Sequence, residues 1–166
     1  MSIEIRRAEP GDLPSVLELI RELEALQRPW RVFPSRPTLV DEIGRRYATT
    51  IDGGRDLLLV AALDGDVVGT AYAHVDVPSS ISDQRAVELS GVIVHPDHRG
   101  RGIARALTIE AARFARDRGV HRLTVRVFAR NEQGLKLWPA LGFEPRMLQM
   151  TAVASELLDH QGAGKP

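Results

Sequence analysis

The stretch GVIVHPDHRGRGIARAL, residues 91–107, changes character twice. Gly91 to Val94 is an apolar, β-branched run that suits a strand. Pro96 ends it, because proline has no N–H to give to a sheet. From Ile103 onward the apolar residues fall at helical spacing. Arg99, Gly100, Arg101 and Gly102 lie between the two. The question is what a chain gains from two glycines and two arginines where a strand becomes a helix.

Three phosphate-type readings compete with a bland one. A dinucleotide fingerprint needs G-x-G-x-x-G, but Arg105 stands where the third glycine belongs. The sequence holds no G-x-x-x-x-G-K-S/T loop. The third reading is a pyrophosphate cradle of backbone N–H groups at a helix N-terminus. Glycines let the backbone approach phosphate oxygens, the helix dipole favours negative charge, and Arg99 and Arg101 can add charge-assisted contacts. The bland reading is a glycine-rich turn with solvated arginines.

Outward from that turn, strands and helices alternate irregularly. Residues 2–8 alternate as a strand, and residues 9–26 read as a helix with Asp12 as its cap and Pro14 in its first turn. Residues 27–37, with three prolines, read as a loop; 38–51 read as a second helix weakened by Gly44. Residues 56–63 are a near-continuous apolar run, a strand buried on both faces. Asp64-Gly65-Asp66 is a hairpin turn into a partner strand over 67–77. A loop covers 78–86. The next strand is 86–94, with Gly91 marking a bulge. A helix over 102–119 closes at Gly119. A strand (120–129), a short helix (131–142) and a last strand (143–153) follow. The order is β-α-α-β-β-β-α-β-α-β, an α/β (α+β) fold with a mixed, mostly antiparallel sheet and helices on both faces. One domain is expected over 1–154, with a flexible tail over 155–166.

Composition narrows the function classes. The 166 residues are 43% apolar and 27% charged, with zero formal net charge. That balance fits one soluble domain and gives no support for a nucleic-acid binder or a polybasic membrane-surface protein. No apolar run approaches the ~18 residues of a membrane span. The N-terminus lacks a signal-peptide stretch. Cysteine is absent, which removes disulfides, thiolate metal sites and a cysteine nucleophile, and points to the cytoplasm. His95 and His98 have metal-like spacing but no third ligand, and read as surface residues, with no metal expected.

In its second half the chain resembles the GCN5-related N-acetyltransferase (GNAT) superfamily. The family's main motif is Gln/Arg-x-x-Gly-x-Gly/Ala after a strand and a Val-x-Pro turn. Here Val94 and Pro96 are followed by Arg99, Gly102 and Ala104 in register. A second motif, Asn-x-x-Ala/Gly-x-x-Leu and then Gly-Phe, matches NEQGLKLWPALGF through Asn131, Gly134, Leu137, Gly142 and Phe143. The resemblance runs from Ile3 to about Ala152, and over the first half it is one of element order. It implies acetyl-CoA as co-substrate and direct transfer of acetyl to an amine, with no covalent enzyme intermediate. Pantetheine would pair with the backbone of Val92, Ile93 and Val94. Pyrophosphate would sit on the amides of Arg99, Gly100, Arg101, Gly102, Ile103 and Ala104. Asn131 would face the pantetheine, and amides near Gly91 and Val92 would hold the thioester oxygen.

The proton-moving groups divide the same way. An ammonium must lose a proton before it attacks, so a general base helps. Glu88 lies eleven positions before Arg99, where the histone-acetylating branch of the family has its glutamate. Strand periodicity puts Glu88, Ser90 and Val92 on one face. His74, Asp76 and water are the alternatives. Trp138 stands where many members have an acid tyrosine, and an indole N–H has no useful acidity. Packing against coenzyme or core is its simpler role; Tyr47 and Tyr72 are the only tyrosines. The acceptor, a small-molecule or peptide amine, would be bounded by residues 27–37, where Arg28, Arg31 and Arg36 alternate with Trp30 and Phe33. A solvated loop with two aromatic anchors is the plain alternative there. A catalytically silent acyl-CoA-binding module is the runner-up function, and a homodimer is left open.

Overall fold

Five strands lie in spatial order β1 to β5, which is also their order along the chain. The computed structural model describes residues 3–31, 33–75 and 85–162, the side chains of 159–162 excepted. Its elements are β1 (Ile3–Arg7), α1 (Leu13–Gln27), α2 (Leu39–Ile51), β2 (Leu57–Leu63), β3 (Asp66–Val75), β4 (Val87–Val94), α3 (Ile103–Asp117), β5 (Leu123–Val125), α4 (Glu132–Ala140) and α5 (Ala154–Gly162). β1 to β4 are antiparallel, and β5 runs parallel to β4. Among the described residues, no helix is long and apolar enough to cross a membrane.

The strands are two-sided, and each face has its own core. On one face α3 lays Ile103, Leu107, Ala111 and Phe114 against Leu57, Leu59, Ala71, Ala73, Val87 and Leu89. On the other, Val16 and Ile20 of α1 and Tyr47 of α2 pack on Leu58, Val60 and Tyr72. β2 is buried along six of its seven residues, as its unbroken apolar run requires. Each fully buried aliphatic side chain contributes about 1.5–3 kcal/mol of transfer free energy. Gly44 has a packing reason: a Cβ there would lie 3.3 Å from Leu17 Cδ1, so the glycine lets α2 approach α1.

Asp12 does not cap α1 with its side chain. Its carboxylate turns back instead, accepting from the Glu9 amide at 2.7 Å and from both terminal nitrogens of Arg6 at 2.6 and 2.9 Å. The Arg6 hydrogen bond outweighs burial and holds the Asp12 carboxyl below the ordinary range. The pair ties β1 to the entry of α1.

The hairpin turn is a two-residue one, with Asp64 at φ 51° and Gly65 at φ 97°. Both central residues have positive φ, as a type I′ turn demands. The more consequential distortion is in β4. Thr70 pairs with Ile93 and Tyr72 with Ser90, so Ala71 faces both Gly91 and Val92. Gly91 has φ 58° and carries the bulge. This corrects the face assigned to Val92. The extra residue reverses the alternation, so Val92 packs with Val87, Leu89 and Val94 on the α3 side rather than beside Glu88.

The C-terminal part departs from the expected order. β5 holds three residues rather than ten, and residues 143–153 form no strand. Met147, Leu148 and Met150 are 87%, 85% and 89% exposed. Apolar β-formers make a strand only where a neighbouring edge buries them, and Pro145 removes a donor. α5 occupies part of the span expected as a tail.

Gly91→Ala should destabilise the fold by about 1–3 kcal/mol, through positive φ and an overpacked side chain. The added Cβ would lie 2.7 Å from Tyr47 Oη. Removing that hydroxyl by Tyr47→Phe in the Gly91→Ala background should recover part of the loss. Urea denaturation of the two variants is the check, and a Gly91→Ala protein as stable as wild type would contradict this packing.

Candidate active site

β5 pairs with β4 only from Val87 to Leu89. From Ser90 to Val94, the described strands pair with β4 on the β3 side alone. The bulge therefore sits where β4 parts from β5, and beyond it the strand presents a free backbone edge. That edge leads into the turn at Pro96–His98 and then into α3.

The turn is built for close approach. Gly100 and Gly102 have φ 75° and 76°, and nothing lies within 4 Å of where a Cβ would stand on either. The first amide of this helix with a backbone partner is that of Ala106, donating to the Gly102 carbonyl. Among the described residues, the amides from Gly100 to Arg105 have no recorded protein acceptor. Such a run of unpaired donors, at the positive end of a fifteen-residue helix, suits an anion. Arg99 bends back, Nε donating to the Val94 carbonyl at 3.0 Å, so its Nε helps close the turn. Arg101 Nη2 lies 3.4 Å from the Asp97 carbonyl.

Asn131 is the N-cap of α4, its Oδ1 accepting from the Gly134 amide at 2.9 Å. Its Nδ2 is 2.7 Å from where a Gly134 Cβ would be, so the glycine makes room for the cap. Trp138 is buried in the α3-side core and meets Phe143 edge-on, ring centroids 5.2 Å apart. This geometry fits a packed wall. His95 and His98 lie 5.8 Å apart, ring to ring, and no group of three metal-type ligands occurs among the described residues.

Glu88 lies on β4, on the face opposite Val92. Its Oε1 accepts from Arg126 Nε at 3.0 Å and Nη2 at 2.6 Å. Arg126 is 87% exposed, so the pair is worth at most about 1 kcal/mol, but it sets the carboxylate's orientation. His74 is the cross-strand partner of Glu88. Asp76 lies outside the described residues.

One group was not singled out from the sequence. Asp56, just before β2, accepts from Tyr72 Oη at 2.5 Å and from the Val75 amide at 3.2 Å, and its Oδ2 lies 2.9 Å from His74 Nδ1. Burial opposes its charge, but the hydrogen bonds from Tyr72, His74 and Val75 outweigh burial and hold its carboxyl below the ordinary range. Tyr72 is pushed up to about 12, by burial first and then by Asp56. The only sequence signal was an aspartate abutting an apolar strand.

The acceptor-side loop is more committed than its composition implied. Arg31 Nη2 donates to Glu24 at 2.6 Å and Ser35 also bonds Glu24. Trp30 and Phe128 rings lie 6.3 Å apart, joining this loop to the segment before α4. Arg36 pairs with Glu42 at 2.9 Å. Phe33 is 77% exposed.

Comparison with known proteins agrees with this architecture. An uncharacterized N-acetyltransferase of Methanocaldococcus jannaschii is 31% identical over 91 residues, covering 55% of this chain and 40% of that protein. Streptothricin acetyltransferase of Streptomyces lavendulae is 29% identical over 160 residues, covering 84% of this chain and 80% of that protein. The chain thus spans well under two thirds of the first relative and most of the second. A crystal structure of a Clostridium acetobutylicum acetyltransferase with acetyl-CoA superimposes with TM-score 0.71 at 16% identity, over 93% of this chain and 98% of that one, which shows a shared fold. Residues 17–143 match the family model described as acetyltransferase (GNAT) family. The chain belongs to that family.

Proposed function

We propose that the protein is an acyltransferase that moves an acetyl group from acetyl-CoA to a primary amine of a small molecule or peptide, by direct attack within a ternary complex. The observation that carries this reading is one continuous surface. The free edge of β4 runs into a turn whose amides have no recorded protein partner. An extended amide-bearing chain suits the first part and a pyrophosphate the second. The backbone of Val92, Ile93 and Val94 would hold the pantetheine. The amides of Gly100, Arg101, Gly102, Ile103 and Ala104 would hold the pyrophosphate, with the Arg99 guanidinium alongside. Asn131, its Oδ1 spent on the cap, would offer Nδ2 to a pantetheine carbonyl. When bound, acetyl-CoA supplies an activated thioester carbonyl.

The chain's own part is to orient and to move protons. The bulge at Gly91 breaks the β3–β4 register, and an amide that it frees from the ladder would stabilise the developing oxyanion. Glu88, on the acceptor side of the strand, takes the ammonium proton. Trp138 is wall rather than acid, and a thiolate of pKa ~8.5 leaves tolerably without one near neutral pH. Streptothricin acetyltransferase, by its name, acetylates streptothricin, which supports a small-molecule acceptor here. A silent acyl-CoA-binding module is the second reading, favoured only by the burial of Trp138 at the usual tyrosine position. Thiol release across a panel of primary amines separates the two.

Ala104→Pro tests the cradle with little damage to the helix. Ala104 is the second residue of α3, and Pro14 already holds that position in α1. The variant loses one amide and should bind acetyl-CoA about 10–100-fold more weakly by calorimetry, the scale of a hydrogen bond to a charged group. Its melting temperature without ligand should change little. Unaltered affinity would move the pyrophosphate elsewhere.

Glu88→Gln keeps shape and removes basicity. It should lower kcat/KM by about 10²–10⁴-fold near neutral pH, with coenzyme affinity unchanged. The defect should shrink as pH approaches the acceptor's own pKa. A wild-type rate from pH 6 to 9 would exclude Glu88 as the base.

A further inference from the structure

Acetylation of an ammonium takes two protons from one nitrogen. The N–C bond forms, the C–S bond breaks, one proton leaves with the thiol and the other must reach water. A single glutamate turned toward the acceptor can take a proton but must lose it again in each cycle. We infer that His74, held by Asp56, is the relay through which Glu88 passes that proton to solvent; this rests on the acyl-transfer reading above.

The geometry carries the assignment. His74 and Glu88 are cross-strand partners in an antiparallel pair, which puts their Cβ atoms about 4.5–5.5 Å apart on one face, within reach directly or through one water. The His74 ring stacks on Tyr72, interplanar angle 14°. Opposite the Asp56 carboxylate, Nδ1 is the hydrogen-bond donor, which leaves the Nε2 lone pair as the acceptor. Tyr72 and the Val75 amide fix Asp56 in turn, so the orienting carboxylate is itself held. The His74 side chain is 43% exposed, so the ring bridges the site and water. A structural tie between β2 and β3 needs Asp56, Tyr72 and the Val75 amide; it does not need an imidazole left half in solvent.

Several charged or titratable groups surround His74 among the described residues. Asp56 and Tyr72 face His74 on its own side of the sheet, and Glu88 faces it from β4 with Arg126 attached. Arg55 Nε lies 3.8 Å from Asp56 Oδ1, and Arg46 of α2 acts on Tyr72. The ring thus has the Asp56 carboxylate at its Nδ1 and Glu88 as its cross-strand neighbour, each carboxylate accompanied by an arginine.

The test uses the whole chain, acetyl-CoA and the fastest amine from the panel. His74→Ala should lower kcat about 10–100-fold at neutral pH, less than loss of the direct base, with KM for acetyl-CoA unchanged. Added imidazole should restore much of the rate, because the removed ring was reachable from water. Asp56→Asn, which keeps the ring but removes the carboxylate that orients it, should lower kcat by a smaller factor that added imidazole does not relieve. A His74→Ala protein that keeps the wild-type kcat from pH 6 to 9, or whose loss imidazole does not relieve while its melting temperature is unchanged, overturns the relay. Either result leaves the acyl-transfer reading standing. A wild-type protein that binds acetyl-CoA but releases no thiol with any amine overturns both.

Discussion

The extra residue in β4 is the constraint on which the rest depends. A glycine at φ 58° lets two residues of β4 face one of β3. The insertion reverses which side chains look up and which look down. Upstream of it, Glu88 points to the face that α1 and α2 cover; downstream, Val92 and Val94 point into the α3 core. It also bends the strand away from β5, whose pairing stops at Leu89. An unpaired strand edge inside a sheet is costly unless something takes its hydrogen bonds. In this fold the edge leads straight into the donors of the Gly100–Arg105 turn. Tyr47 and Ile20 crowd the bulge from the other side, so the position admits only glycine without rearrangement.

Much of this was legible because it is local. Gly91 in a β-branched run signalled the bulge, Asp64-Gly65 signalled the tight turn, and the Arg99–Gly102 stretch before a helical pattern signalled the glycine turn that opens α3. Each of these depends on a backbone conformation that only a few residue types adopt. The faces on either side of the bulge were read wrongly for Val92 because period-two reasoning counts residues and not pairings. What joins distant parts of the chain left no such mark. Arg126 reaches Glu88 across 38 positions and Asp56 meets His74 across 18, and no spacing rule predicts either pair. The last strand failed for a related reason. Residues 143–153 have a strand's composition, yet composition decides only when an edge is present to be covered.

Charge is used sparingly in this protein. Its net charge is zero, and many of its arginines hold the chain rather than display it: Arg6 on Asp12, Arg31 on Glu24, Arg99 on the Val94 carbonyl. What the turn offers an anion is therefore neutral backbone amides and a helix terminus more than side-chain cations. Such a site needs little reorganisation when an anion arrives, since its donors are fixed by the helix they begin. On the other face side chains take over: Glu88 and His74 are cross-strand partners on β4 and β3, and Asp56, just before β2, holds His74.

On the proposed reading, the free edge of β4 and the amides of the following turn would form a single coenzyme site. Backbone amide chemical shifts followed during titration with acetyl-CoA test it most directly. The largest changes should fall in two clusters, Gly91 to Val94 and Gly100 to Arg105, and saturate together with one dissociation constant. Changes confined elsewhere, or two clusters that titrate independently, would contradict it.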